Sequence, residues 1–371
     1  MATVTRSLAT PPAVASAQGR PVSSVRFDGS MMAVCCWLIG GVFLDTWAHS
    51  TLAVLDTFFT PWHAVLYSGA TAVAAFIFGP IVWYHRRGYA WRQAVPVGYE
   101  LSLVGIVLLG LSGVGDMLWH LAFGIERNTD AILSPTHLGL AFAIALVVGG
   151  PLRAAWQRPD SARPGSWATQ LPMLVSFSFT LIMVTLLTLY GSPFHNTQVA
   201  EPIQTEMGQQ LAVTSILLYT AILMGFLLTA VRRWPALPFG ALAFVLALET
   251  LLVSATNIDS ALPPVLLLTG VIAEGLRWAL HPSATRVGAF RVFAVAVPAA
   301  LFALYFGALY LTAGIHWSIH LWLGCVVSAA IAGWLISLLV VPPVGAGEAR
   351  RADDLTPQPP SLRRKRELDR R

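Results

Sequence analysis

The sequence predicts an all-α integral membrane protein, a polytopic bundle of about ten transmembrane helices with both termini in the cytoplasm. Apolar residues make up 56% of the 371 positions and charged residues only 11%, whereas soluble proteins carry about 25% charged residues. The apolar residues form runs of about 20, the length that crosses a bilayer as a helix. Arginines recur in alternate connections, which orients the bundle. A soluble fold is therefore excluded.

Ten apolar runs define the predicted helices. In chain order they are residues 29–48, 62–84, 97–121, 134–156, 168–190, 208–230, 236–256, 262–280, 288–312 and 318–341. Several contain Gly or Pro, which bilayer helices tolerate because neighbouring groups satisfy the freed backbone. We treat residues 29–342 as one transmembrane bundle. Residues 1–28 and 343–371 are expected to be disordered cytoplasmic tails, the second strongly basic around Lys365.

The basic residues orient this bundle. They lie in both tails and in every second connection, and among the intervening connections only one arginine occurs, Arg127. The positive-inside rule then places both termini in the cytoplasm and the other five loops outside. The sequence pI near 9.4 reflects this orientation and contact with anionic lipid, so no nucleic-acid partner is expected. We expect the protein in a bacterial plasma membrane.

A pattern of acidic residues and histidines occurs twice at the predicted outer boundary. The first copy, in the hairpin 29–84, reads Asp45-x3-His49 and then Asp56-x3-Thr60-Pro61-x-His63. The second copy, in the hairpin 97–156, reads Asp116-x3-His120 and then Asp130-x3-Ser134-Pro135-x-His137. Matching landmarks in two hairpins of the same sense indicate an internal repeat.

The spacing within each copy has a physical meaning. An Asp and a His four residues apart share one helix face, and the next helix adds a second histidine. Thr60 or Ser134 can cap that next helix, with Pro61 or Pro135 at its first position. Each copy thus offers one carboxylate and two imidazoles at one depth.

Two interpretations of this pattern remain open. A single Asp/His pair often only hydrogen-bonds at a helix end, but ionisable residues repeated at membrane depth favour a functional site. We predict metal binding, by copper foremost, with zinc or iron as alternatives, since imidazole and carboxylate suit all three. The predicted ligands are Asp45, His49, His63, Asp116, His120, His137 and a further outer pair, His316 and His320.

The number of centres is open at this point. Matching depth allows one shared centre, whereas the three extra residues in the second loop favour separate or unequal sites. Of the remaining polar residues, Glu249 is an acid inside a predicted span, and Glu100 and Glu274 lie nearer the cytoplasmic side. His195 reads as an ordinary loop histidine.

A family resemblance rests on the first copy. Asp45-Thr-Trp-Ala-His49 followed by Asp56-Thr-Phe-Phe-Thr-Pro-Trp-His63 resembles the signature of the C subunit of copper membrane monooxygenases, the family of particulate methane and ammonia monooxygenases. That signature is Asp-x-x-Trp-His, then Arg-Asp-Thr-x-Phe-Thr-Pro-x-His. The resemblance implies copper ligation by Asp45, His49 and His63, and by repetition by Asp116, His120 and His137.

This resemblance covers about 20 residues, or at most 100 with the second copy. Leu55 replaces the signature's Arg, the gap between the histidines is one residue longer, and the motif is doubled. Ten helices also exceed what that subunit has. The resemblance therefore supports a metal site more strongly than a monooxygenase.

Two functions of different class follow. The first is an oxidase or monooxygenase-like subunit, in which a metal activates O2 for a lipophilic substrate and other membrane subunits or an electron donor are partners. The second is a transporter or metal-handling permease that uses the Asp/His clusters as an outer site and Glu249 on the path. A purely structural or assembly role also stays open.

Overall fold

The computed structural model describes residues 19–52, 58–126, 128–158, 165–195, 198–256 and 262–343. Within them the chain is all-α. The helices are α1 Val25–Thr51, α2 Pro61–Arg86, α3 Trp91–Ala94, α4 Glu100–Phe123, α5 Asn128–Leu133, α6 Pro135–Val148, α7 Gly150–Gln157, α8 Trp167–Leu187, α9 Glu206–Arg233, α10 Ala241–Thr256, α11 Pro263–Leu280, α12 Val287–Thr312 and α13 Ile319–Val340. Two short 3-10 helices, Leu189–Gly191 and Gln198–Ala200, lie between α8 and α9.

The predicted spans are present. In the described part of the chain, nine helical segments are long and apolar enough to cross a membrane, and α10 adds a shorter apolar helix. The fourth span combines α6 and α7, which are divided at Gly149. The fold is therefore the polytopic membrane helix bundle that the sequence predicts. Its orientation in the membrane stays a prediction.

The start of α1 differs from the predicted boundary. The helix begins at Val25, with Ser24 as its N-cap, so residues 25–28 belong to the bundle rather than to the tail. Arg20 already contacts the rest of the fold, because its guanidinium donates to the Val95 carbonyl at 2.7 Å. Residues 1–18 and 344–371, which include most of both predicted tails, lie outside the described residues.

An ion pair that the sequence did not reveal holds this end of α1. Asp28 is fully buried and lies 2.5 Å from the Arg158 guanidinium. The Tyr99 hydroxyl donates to the other carboxylate oxygen at 2.7 Å. Since both oxygens have partners, the buried charge is compensated, and α1 is tied to the segments that precede α4 and follow α7.

Two hydrophobic cores share α8. One core joins α1, α2, α4, α6 and α7, and α8 contributes Ile182 and Met183 to it. The other joins α8 to α9–α13, with Phe177 and Leu181 on the opposite side of the same helix. The six ligand candidates of the repeat, on α1, α2, α4 and α6, all lie in the first of these two halves.

Glycines allow α1 and α2 to pack very closely. A Cβ at Gly41 would lie 2.6 Å from the Leu66 Cα, and one at Gly69 would lie 2.8 Å from the Leu38 Cα. Such distances are sterically forbidden, so only glycine permits this backbone contact. Asp45 lies one turn beyond Gly41 and is thereby held against the beginning of α2.

Candidate metal centre

The six repeated ligand candidates lie where helices end and begin. Asp45 and His49 occupy the last two turns of α1, and His63 is the third residue of α2. Asp116 and His120 occupy the last two turns of α4, and His137 is the third residue of α6. Both sets therefore come from a helix C-terminus facing the N-terminus of the next long helix.

The predicted caps fix two of the histidines. The Thr60 hydroxyl accepts a hydrogen bond from the His63 backbone N–H at 3.2 Å. The Ser134 hydroxyl accepts from the His137 N–H at 3.4 Å. A proline follows each cap at the first helical position. The same four residues in each hairpin thus cap the helix and place the histidine in its first turn, and the predicted caps are confirmed.

Backbone carbonyls set the orientation of the same two rings. His63 Nδ1 lies 2.5 Å from the Phe58 carbonyl oxygen, and His137 Nδ1 lies 2.5 Å from the Ala131 carbonyl oxygen. A carbonyl only accepts, so Nδ1 is the donor in both rings. In the neutral tautomer Nε2 then carries a lone pair, which is the arrangement typical of metal-binding histidines.

Each carboxylate faces two imidazoles. Asp45 Oδ1 lies 3.2 Å from His63 Nε2 and 3.8 Å from His49 Nε2. Asp116 Oδ1 lies 3.2 Å from His137 Nε2 and 3.5 Å from His120 Nε2. Metal–ligand bonds of about 2.0–2.2 Å at tetrahedral angles separate ligand atoms by about 3.3–3.6 Å. The ligand atoms of each set lie within 4.8 Å of one another, which a small metal ion can bridge.

Unpartnered atoms supply the test of fit. Among the described residues, the buried Asp45 Oδ1 and His120 Nε2 have no hydrogen-bond partner. His120 Nε2 lies 3.5 Å from Asp116 Oδ1 without hydrogen-bond geometry, and the same oxygen already faces His137 Nε2 at 3.2 Å. Buried polar atoms are nearly always satisfied. A cation held by each Asp/His/His set would satisfy these atoms, and three protein ligands would leave a coordination position open.

The two sets have unequal surroundings. Asp116 is 1% exposed, accepts from the Thr136 hydroxyl at 3.0 Å and lies 3.5 Å from the Tyr67 hydroxyl. The Asp45 side chain is 18% exposed. His120 Nδ1 lies 3.0 Å from a Glu126 carboxylate oxygen. The repeat pattern did not predict Thr136, Tyr67 or Glu126, because their counterparts in the other copy differ.

The two sets touch. Ring centroids are 5.9 Å apart for His49–His63, 6.4 Å for His63–His120, 5.5 Å for His120–His137 and 6.3 Å for His137–His49. The four imidazoles therefore form one closed group, which we call the four-histidine cluster. The carboxylates lie in two distinct ligand sets of this single cluster. The two sets thus have unequal surroundings and are adjacent, and their binding of metal at separate or unequal sites stays a prediction.

The other candidates lie elsewhere. His316 is exposed in the segment before α13, and His320 is exposed in its first turn; neither belongs to the two ligand sets, and metal binding by this pair stays a prediction. Asp56 lies outside the described residues, and Asp130 is exposed in α5. His195 is exposed, as expected for a loop histidine.

An apolar groove adjoins the cluster. A cavity of about 400 Å³ lies between α2 and α4, lined mainly by small and aliphatic side chains such as Ala70 and Leu109. Phe58 and Tyr67 also line it. The Phe58 ring lies 4.7 Å from the His63 ring and 6.0 Å from the His120 ring. The groove therefore adjoins the histidines at the Phe58 ring.

The chain was compared with protein-family models, with curated proteins and with solved structures, and none of these comparisons gives a match. The function must therefore be inferred from the geometry of the site.

Proposed function

We propose that this protein is a membrane metalloprotein whose four-histidine cluster binds two metal ions, copper foremost, as a monooxygenase-like or oxidase subunit. The observation that carries the proposal is the pair of Asp/His/His sets in mutual contact. In each set one histidine is oriented by a backbone carbonyl, so that its Nε2 faces a carboxylate oxygen at 3.2 Å.

Copper is the preferred metal for two reasons. Nitrogen and oxygen ligand sets bind Cu²⁺ more tightly than the other divalent first-row ions. The resemblance of Asp45, His49 and His63 to the copper ligands of the monooxygenase C subunits points the same way. Two histidines and one carboxylate also suit non-haem iron, and zinc accepts the same ligands. Metal analysis separates these alternatives.

The groove favours an oxidative function over simple metal storage. It lies between two membrane-spanning helices, α2 and α4, so a lipophilic substrate can enter it from the hydrocarbon phase. Bound copper would supply reaction with O2 at the polar end of the groove. The protein's own residues hold the ligand set rigid and exclude water from the Asp116 side, where the carboxylate is 1% exposed. Electrons would have to come from a partner.

Transport is less well supported. A path across the membrane needs polar groups in the other half of the bilayer as well. At the predicted cytoplasmic side, Glu100 lies 2.5 Å from Arg20, and Glu274 lies 2.5 Å from Arg277. Both acids are therefore engaged in ion pairs, and neither is available to take over a metal ion from the cluster.

Metal analysis of the full chain, purified in mild detergent, tests the proposal. We expect close to two copper ions per chain and an electron paramagnetic resonance spectrum of Cu(II) with nitrogen ligands. His63→Ala and His137→Ala should each lower the affinity at least about 10–100-fold, by comparison with the loss of outer-shell partners. His281→Asn is the matched control, because His281 is exposed and has a positive φ that Asn tolerates.

The outcomes discriminate between the functions. Tight copper together with substrate-dependent O2 consumption, after addition of an electron donor, supports the oxidative function. Rapid metal flux in liposomes with weak, exchangeable binding supports a transporter instead. Equal metal content in the His63→Ala, His137→Ala and His281→Asn proteins, with circular dichroism unchanged, would overturn the metal centre itself.

A further inference from the structure

A second polar feature lies in the other half of the bundle, apart from the metal ligands. Glu249 of α10 is 1% exposed and is the one charged residue of that helix. Among the described residues neither of its carboxylate oxygens has a hydrogen-bond partner. Nothing in the proposed metal centre uses this acid, so its presence inside the bilayer needs a separate explanation.

Two buried hydroxyl groups in this half of the bundle do not explain Glu249. Tyr219 of α9 is 3% exposed, and its hydroxyl likewise has no partner among the described residues, so it is not hydrogen-bonded to the acid. The Thr185 hydroxyl of α8 lies 3.1 Å from the Leu181 carbonyl and 3.0 Å from that of Ile182, so it is bonded within its own helix. Within the described part of the chain, Glu249 is therefore left without a hydrogen bond.

The other buried acids of the bundle are treated differently. Glu274 is 3% exposed, but it pairs with Arg277 and accepts from the Leu242 backbone N–H at 3.0 Å. Asp28 is buried against Arg158 and Tyr99. Outside the metal centre, Glu274 and Asp28 thus each have an arginine and an additional donor. Glu249 has neither, and a lone carboxylate in an apolar interior is stable only in its neutral form.

We propose that Glu249 is an intramembrane proton-binding site. The acid holds one proton as a neutral carboxyl group, which supplies a donor as well as an acceptor. The proposal is independent of the metal centre. A single carboxyl group offers too few oxygens for a hard metal cation, which takes six or more.

Chemical labelling tests the protonated state. Dicyclohexylcarbodiimide is lipophilic and needs a protonated carboxyl group to react. On the full chain in detergent at neutral pH, with peptide mass analysis, we expect modification of Glu249 and none of Glu274. Glu249→Gln should abolish the labelling, and Glu274→Gln, the matched control, should leave it unchanged. Sodium that blocks the labelling would identify a cation site and overturn the proton assignment.

Infrared spectroscopy tests the protonation state of Glu249 without the reagent. The difference spectrum between the wild type and Glu249→Gln should show the loss of one neutral carboxyl band. Glu274→Gln, the control, should leave that band in place, because Glu274 is paired with Arg277. Loss of carboxylate bands from the Glu249→Gln protein instead would show that Glu249 is ionised, and this result would overturn the proposal.

Discussion

The imidazole rings of His63 and His120 lie 6.4 Å apart and nearly parallel, at 24°, although the residues belong to different hairpins. One ring is held at the beginning of α2 and the other at the end of α4. This relationship makes the two ligand sets neighbours. Two metal ions bound there would repel each other through their charges. They would also share neighbouring residues such as Phe58, whose ring contacts both histidines.

The first prediction is that the two sets are coupled. We expect the losses of copper affinity in His63→Ala and His120→Ala to be non-additive in the double variant, with a coupling energy of about 0.5–3 kcal/mol, as for residues in one network. Titration of the apo-protein with copper measures this. His63→Ala combined with His281→Asn serves as the additive control. Strict additivity in the first pair would show that the sets act independently.

The second prediction concerns the donor to Asp116. Thr136→Val removes the hydroxyl that lies 3.0 Å from Asp116 Oδ1 while conserving shape. We expect an affinity loss of about 10–100-fold at the second set, as is usual for groups that orient a metal ligand. Thr71→Val is the control, because the Thr71 hydroxyl bonds only within its own helix, to the Tyr67 carbonyl. Equal affinities in the two variants would contradict this role.

The third prediction separates capping from ligand placement. Thr60→Ala and Thr205→Ala each remove a helix N-cap, of α2 and α9 respectively. Each should lower the free energy of unfolding by about 0.5–2 kcal/mol, measured in mixed micelles. Of these two variants, only Thr60→Ala should also weaken copper binding, because the Thr60 cap positions His63 and the Thr205 cap positions no ligand. A similar loss of copper from Thr205→Ala would mean that the effect is merely one of stability.

The fourth prediction concerns the buried ion pair at the start of α1. Asp28→Asn leaves the Arg158 charge without its carboxylate in a buried site, and we expect a destabilisation of about 3–5 kcal/mol. Glu100→Gln breaks the more exposed Arg20 pair, where about 0–1 kcal/mol is expected, since the Glu100 side chain is 44% exposed. Unfolding in mixed micelles compares the two variants, and equal losses would contradict this ranking.

The fifth prediction is the orientation of the bundle. Ile203 is 84% exposed in a loop predicted to lie outside, and Ser166 is exposed in a loop predicted to be cytoplasmic. In a chain whose native cysteines are replaced by alanine, Ile203→Cys should react with an impermeant thiol reagent in whole cells, and Ser166→Cys should react only after lysis. The reverse pattern would place the four-histidine cluster in the cytoplasm.

Much of the fold was predictable because the bilayer imposes a simple rule. A helix must cross about 30 Å of hydrocarbon with its backbone satisfied internally, so run length alone locates the spans. The caps were predictable for a local reason as well, since Thr60-Pro61 and Ser134-Pro135 determine a helix start within one turn. The start of α1 was not, because Asp28 enters the bundle only through its partners Arg158 and Tyr99, which lie far away in the chain.

The sequence by itself determined the helices and the composition of each Asp/His set, because these depend on run length and on spacing within a hairpin. Only the tertiary structure decided that the two sets meet. That contact depends on how α2 packs against α4, with the Tyr67 hydroxyl 3.5 Å from Asp116 and the Phe58 ring in contact with both His63 and His120. Likewise, only packing shows that Glu249 and Tyr219 lack partners among the described residues. Contacts between helices are set by side-chain shape over long sequence separations, which no local pattern records.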